Sequence, residues 1–366
     1  MNRFIFIHLN ILFIYHLLNL NSVIASPSSE PPVNPISCPF THATTTLEYL
    51  LNMESPVNGF LPVSFKESMN VNQLAEESDL FDDLDICLIE ERFESFCQNI
   101  NQPLSSTTTY SIPQIIHLIW LGSDPTEAVR LCMASWQKYH PGWEIRLWTD
   151  SDIKDFPWQF SRSKSLFLTA RNWAEKSDIL RFEILYQFGG IYTDIDIICL
   201  KSFEDLIKEP VFFACFEDNT KKFNDKQLMG SAIIGTTKNN PIMERCIDYT
   251  QSFREAPLIL QHHRSGPGPL SKAAYEAING GTENILILPC SYFYPLPWKS
   301  RLAPFDEIIA NIRPESFAIH LWEYSWATQP KETIKIPEEI QKPEESPKSR
   351  QTHKERKKIK GHHTFE

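Results

Sequence analysis

Asp194 and Asp196 stand two positions apart in an otherwise apolar run, RFEILYQFGGIYTDIDIICL, at residues 181–200. An ionised carboxylate buried without a partner is costly, so such groups are normally paired, protonated or bound to a metal. With the period of two of a strand, Tyr192, Asp194 and Asp196 would share one face, and Ile191, Thr193, Ile195 and Ile197 the other. Two carboxylates roughly 7 Å apart along such a face can converge on one hard cation. Magnesium or manganese suits oxygen ligands of this kind and often bridges substrate phosphates. Upstream, Asp178 and Arg181 are three apart and share a helix face, which fits either a plain helical salt bridge or a second part of the same site. An Asp-x-Asp tripeptide also arises by chance on acidic surfaces. An apolar strand behind a Gly-Gly pair is a poor place for a solvated pair of charges.

The elements that must carry these groups follow from the surrounding pattern. ARNWAEKSDILRFEILYQFGG reads as a helix closed by Gly189-Gly190, running directly into the strand IYTDIDIICL. Before it, IPQIIHLIWLG has the form of a buried first strand, and WEIRLWTD that of a second. Between them, DPTEAVRLCMASWQKYHP predicts a helix capped by Asp124, with Pro125 in its first turn and Pro141 as its stop. Further on come the strands PVFFACFE and SAIIGTT, a helix from Pro241, the loop SGPGPLSKA leading into another helix, and the blocks ILILPCSYFYPLPW and FAIHLWEYSW. The alternation predicts an α/β protein with a mainly parallel sheet flanked by helices.

Residues 1–25 have a basic start, an apolar middle and a Val23-Ile24-Ala25 ending, the shape of a secretory signal. A cleaved signal, an uncleaved signal anchor and an ordinary helix all fit it, although His8, Asn10, His16, Asn19 and Asn21 make it a poor permanent span. Export or membrane anchoring follows from the first two, in the secretory-pathway lumen of a eukaryote or the envelope of a bacterium. Residues 26–110 read as a Pro/Ser-rich linker plus an acidic helical segment in which Leu80, Leu84, Leu88 and Ile89 recur at helical spacing. Residues 111–330 form the α/β domain, and 331–366 a charged tail with the composition of disorder. A net charge of -11 argues against a sequence-independent grip on nucleic acid, but not against a phosphorylated small molecule held through a metal. The eight cysteines contain no Cys-x-x-Cys, which speaks against a zinc ribbon or a thioredoxin-like motif; an even count permits disulfides without showing them. No Asn-x-Ser/Thr acceptor is present.

Together, Ser177-Asp178-x-x-Arg181 and Gly189-Gly190-x-Tyr192-x-Asp194-x-Asp196 resemble the DXD sugar-binding region shared by Och1-like mannosyltransferases, capsular polysaccharide synthesis enzymes and clostridial glucosylating toxins (glycosyltransferase family 32-like). The likeness extends over about residues 111–328, with IPQIIHLIWLG, GSAIIGTTKNNP, SGPGPLSKA, SYFYPLPW and AIHLWEYSW similar to the family's blocks in the same order. It implies a GT-A (nucleotide-diphospho-sugar transferase) fold with an N-terminal helical extension. It also implies a metal-dependent, retaining hexosyltransferase that uses Mn2+ or Mg2+ and a nucleotide-sugar donor, UDP-hexose or GDP-mannose. The acceptor would be a glycan, lipid or protein, and membrane association is compatible with it.

By the same resemblance, Trp120 would stack on the nucleotide base, while Asp178 and Arg181 would contact the donor sugar. Asp194, beside Tyr192, would serve the ribose and sugar side and the metal, and Asp196 would bind the metal directly. His320, Trp322 and Trp326 would lie near the diphosphate and metal. Where relatives carry asparagine before the IIG block this chain has Gly230-Ser231, and Ser231 is the candidate replacement. Two other readings stay open: a haloacid-dehalogenase-type phosphatase, whose signature is also Asp-x-Asp at a strand end, and a non-catalytic sugar-nucleotide or glycan binder. An EF-hand is excluded, since counting from Asp194 puts no glycine at loop position six and no glutamate at twelve.

Overall fold

The apolar run before Gly122 forms strand β1 (Ile115–Ile119), from which the chain builds a βαβ unit. In this computed structural model residues 47–53, 59–69, 83–100, 110–218, 222–223, 225–255 and 264–322 are described. The leader, the linker at 26–37, Leu80, Trp326 and the tail from 331 lie outside the described residues. Before β1, besides a helical turn at 47–52, the described residues include α1 (Phe65–Met69) and α2 (Leu84–Asn99). After β1 come α3 (Glu127–Tyr139), β2 (Glu144–Trp148), α4 (Asp150–Lys154), α5 (Ser161–Leu168) and α6 (Trp173–Phe188). Then follow β3 (Gly190–Thr193), β4 (Ile197–Cys199), β5 (Phe212–Phe216), the short β6 (Lys222–Phe223) and β7 (Lys226–Gln227), and β8 (Met229–Thr236). The chain closes with α7 (Pro241–Glu255), α8 (Pro267–Asn279), β9 (Ile285–Leu288), α9 (Phe305–Ala310) and β10 (Ala318–His320).

The main sheet has the order β2-β1-β3-β8-β5-β9. β1 is parallel to β2 and β3, β9 is parallel to β5, and β8 is antiparallel to both its neighbours. Five strands therefore run one way and β8 the other, the mainly parallel α/β arrangement expected from the alternation. This topology gathers the carboxyl ends of β1, β3 and β5 and the amino end of β8 along one edge. That is where ligands bind in open α/β sheets.

Sequence and structure differ at two helix starts. α3 is capped by Thr126, whose hydroxyl accepts from the Val129 N–H, so Asp124 and Pro125 lie before the helix and not at its start. In α2 the buried face is Ile86, Ile89, Phe93 and Phe96, while Leu84 is 83 % exposed. The aromatic face wins because Phe60, Phe65 and Tyr292 pack around Phe93. α6 ends as predicted: Gly189 (φ 66) and Gly190 (φ 94) take left-handed backbone, and a Cβ on Gly190 would meet the Ile115 carbonyl of β1 at 2.5 Å. The seven described cysteines are all free thiols. No helix among the described residues is long and apolar enough to cross a membrane.

Two buried histidines set an acid limit on this fold. His117 Nδ1 accepts from Trp148 Nε1–H at 3.2 Å, so its Nε2–H donates to the Gly189 carbonyl at 2.9 Å. His140 Nε2 accepts from the Phe203 N–H at 2.9 Å, so its Nδ1–H donates to the Trp136 carbonyl. Each ring is held neutral by its bonds, and burial lowers both pKa values to about 4. A buried base with a depressed folded pKa leaves stability intact above its ordinary value of 6.5 and loses it as pH falls from there toward 4. The loss should reach about 3 kcal/mol per histidine. Urea unfolding at pH 7, 5.5 and 4.5 checks this, and a profile without that decline would contradict the neutral, buried assignment.

Candidate active site

β3 brings Tyr192 to the ligand edge, but the predicted strand through Asp196 stops at Thr193. The Asp194 N–H still donates to Ala232 of β8, and the Asp194 carbonyl then accepts from the Ile197 N–H at 3.3 Å, which closes a turn. The chain leaves the main sheet there, and β4 pairs antiparallel with β10, placing Ile197 opposite His320. The expectation of Tyr192, Asp194 and Asp196 on one strand face is thus corrected. A turn brings two carboxylates closer together than the pleat of a strand allows. The same pairing adds a ligand that local spacing could not supply. One ligand atom from each of Asp194, Asp196 and His320 lies within 4.8 Å of the others.

Arg181 is the centre of the adjoining charge network. Its guanidinium meets Asp178 Oδ1 at 2.7 Å and Asp194 Oδ1 at 3.2 Å, and it donates to the Ser231 carbonyl at 2.6 Å and Ser231 Oγ at 3.2 Å. Ser231 thus supports Arg181 through both its carbonyl and its hydroxyl, a role the sequence did not indicate. Tyr192 donates its hydroxyl to Asp194 Oδ1 at 2.6 Å and lies under the Arg181 cation at 4.4 Å. Ser265 donates to Asp178 Oδ2 at 2.6 Å. Burial pushes the Asp194 and Asp178 carboxyls up, with Arg181 pulling each the other way, and for Asp194 the charge of Asp196 adds to the rise. Burial lowers His320, but the Asp196 charge and hydrogen bond, at 3.2 Å, outweigh it and raise its pKa. Carboxylates under this pressure are relieved by a further cation.

The residues present fit a divalent metal on independent grounds. Two carboxylates and an imidazole form an oxygen-rich donor set, and the buried Nδ1 of His320 has no hydrogen-bond partner. The surrounding structure is built to hold them. Trp322 takes a left-handed backbone (φ 57) that brings its ring 3.9 Å from that of His320, and its indole N–H is fixed on the Leu296 carbonyl at 2.7 Å. Behind the turn, Cys132 and Trp136 of α3 both donate to the Ile197 carbonyl.

These groups line one cavity of about 410 Å³. Trp120 reaches it from the end of β1, its backbone tied to Trp148 and its indole N–H without a partner. Trp120, Asp178, Arg181, Tyr192, Asp194, Ser231, His320 and Trp322 all line this space, so the structure brings the described members of the predicted site together. Sequence reasoning missed Ser265, Glu217 and Tyr294, which line the same cavity. Ser265 opens the quoted SGPGPL block and could have been suspected. Glu217 follows the apolar strand β5 with no local signal.

A family model described as glycosyltransferase sugar-binding region containing DXD motif matches residues 125–213. An uncharacterized glycosyltransferase, L373, of Acanthamoeba polyphaga mimivirus is 30 % identical over 220 residues, covering 57 % of this chain and 85 % of that protein. Inositol phosphoceramide mannosyltransferase 3 of Schizosaccharomyces pombe is 31 % identical over 117 residues, 31 % of this chain and 32 % of that protein. The chain thus matches about a third of the length of the mannosyltransferases it resembles. Among solved structures, the PaToxG glycosyltransferase aligns over 54 % of this chain and 80 % of that one, with 24 % identity and a TM-score of 0.38. The chain belongs to the glycosyltransferases whose sugar-binding region contains the DXD motif.

Proposed function

We propose that this glycosyltransferase is metal-dependent and retaining, and moves a hexose from UDP-hexose or GDP-mannose to a lipid, glycan or protein acceptor. The observation that carries the reading is the convergence of Asp194, Asp196 and His320 beside the Asp178–Arg181–Asp194 network. Asp194, Asp196 and His320 would hold Mn2+ or Mg2+, which supplies charge neutralisation for a leaving diphosphate. Arg181 keeps Asp178 and Asp194 fixed and contributes a permanent, buried positive charge to the pocket wall. Asp178, braced by Ser265 and Arg181, presents an acceptor for sugar hydroxyls, and Trp120 offers an indole face for the base. The chemistry then rests on positioning and electrostatics, and a retaining reaction of this kind needs no enzymic nucleophile. The phosphatase alternative fits poorly, because Asp194 Oδ1 is already engaged by Tyr192 and Arg181 and is not a free nucleophile.

A sphingolipid acceptor is favoured among lipids by the names of the inositol phosphoceramide mannosyltransferases, and the signal-like residues 1–25 support a place in the secretory pathway. The boundaries belong to the same proposal: leader 1–25, linker and helical segment 26–110, transferase 111–330 and tail 331–366. The test is hydrolysis of a panel of UDP- and GDP-sugars by the full chain with manganese, then with EDTA, then with manganese restored. One donor should be cleaved to its nucleoside diphosphate, with loss under EDTA and recovery afterwards. Metal-dependent release of phosphate from simple phosphomonoesters, with all sugar nucleotides intact, would replace the reading with the phosphatase.

A further inference from the structure

Tyr294 lines the pocket, and the donor site leaves it unused. Its ring stands 5.8 Å from that of His320 and 5.9 Å from that of Trp322, so it belongs to the wall around the metal group. The hydroxyl is buried and has no hydrogen-bond partner among the described residues. The Ile233 amide bears on it, but an N–H only donates, and the phenolic hydrogen is left without an acceptor. Burial raises the Tyr294 pKa well above its ordinary value, so the hydroxyl keeps that hydrogen. An orphaned buried hydroxyl is costly, and beside a site it is explained by a ligand that takes the bond.

The sheet register brings a carboxylate to the same place. Cys215 of β5 is opposite Gly230 of β8, so the two share a face, and Glu217, two residues on, returns to it. The Tyr294 hydroxyl occupies the room that Gly230 leaves on this face, where a Cβ would overlap it. Glu217 and Gly230 both line the pocket, and the charge of Glu217 bears on Tyr294 and on His320. Ser231, the next residue along β8, turns its side chain to Arg181 instead. The Asp178–Arg181 network and the Glu217–Tyr294 pair therefore flank β8 from opposite sides. Retention brings the acceptor oxygen to the face of the donor sugar that the diphosphate leaves. The acceptor must then sit beside the metal group, which is where Glu217 and Tyr294 stand.

We propose that Glu217 and Tyr294 seat a hydroxyl of the acceptor, an uncharged sugar ring, beside the metal group. A hydroxyl is the group that donates to a carboxylate and accepts from a phenol at once. A phosphate or carboxylate would be repelled by Glu217, and an ammonium has no lone pair for Tyr294. Trp322, next to both His320 and Tyr294, offers an aromatic wall to the ring. The role of the pair is to bind and orient, and it rests on the retaining transferase reading, to which it adds the residues and chemistry of the acceptor side.

The test gives the full chain manganese, the sugar nucleotide it hydrolyses, and the methyl α-glycosides of mannose, glucose and galactose as uncharged acceptors. Transfer to the glycoside and hydrolysis by water are read together from the products. At least one glycoside should be extended. Tyr294→Phe and Glu217→Gln should each lower the ratio of transfer to hydrolysis at least about tenfold, and raise the KM for the glycoside more than that for the donor. The Tm of Tyr294→Phe should not fall, since the hydroxyl it removes has no partner. A ratio that holds in either variant overturns the proposal, as does a lowered Tm in Tyr294→Phe, which would make the hydroxyl structural. A rise in donor KM in place of glycoside KM would assign the pair to the donor and overturn it too. An intact chain that cleaves its donor but extends no glycoside defeats this inference alone, whereas one that cleaves no donor defeats the transferase reading with it.

Discussion

Asp196→Asn should abolish donor cleavage while leaving the fold in place. The substitution keeps shape and a hydrogen-bonding group for His320, which lies 3.2 Å from the carboxylate, but removes the negative charge that a divalent cation needs. Asp194 is a ligand candidate in its own right and its Oδ1 already serves Tyr192 and Arg181, so it stands in poorly for a second ligand. The expected loss of metal-dependent turnover is on the order of a thousandfold or more. Stability should change little, since removing one of two close carboxylates relieves repulsion as it weakens a bond. Thermal unfolding and donor hydrolysis measured side by side check the pair of outcomes. Retained turnover at saturating manganese would show that the Asp-x-Asp turn is not the metal site.

Arg181→Leu should instead damage stability and activity together. Arg181 is 4 % exposed and its guanidinium is the cation facing both Asp178 and Asp194. Without it two carboxylates remain in a buried space, and breaking such a pairing typically costs about 3–5 kcal/mol. The pH dependence gives the effect a signature. Both carboxyls are already pushed up by burial against the pull of Arg181, and its loss raises them further. A folded carboxyl pKa above the unfolded value means that the folded state binds the extra proton, so stability falls as pH rises through that window. The deficit of Arg181→Leu relative to the parent should therefore shrink on moving from pH 7.5 to 5.5. Urea unfolding of both proteins at the two pH values measures it. Arg181→Lys, which keeps the charge but loses the fork, should fall between them in stability and remain poorly active. A deficit that does not depend on pH would mean that lost packing, and not the stranded carboxylates, is responsible.

The sequence by itself determined the parts of this protein that depend on short spacing. Asp178 and Arg181 had to meet, because a helix places residues three apart on one face, and they do so at 2.7 Å. The Gly189-Gly190 pair had to end α6, since both positions need positive φ. The alternation of elements fixed an α/β sheet with most strands parallel. Only the tertiary structure decided how the charges converge. His320 joins Asp196 across 124 residues through the β4–β10 ribbon, and Ser265 reaches Asp178 across 87. The break in the strand at Thr193 is likewise set from outside, because β3 is paired with β8 up to that point while the following residues pair with β10. Local periodicity cannot record such events: they arise from which strand edge is free to be paired, and that is a property of the assembled sheet.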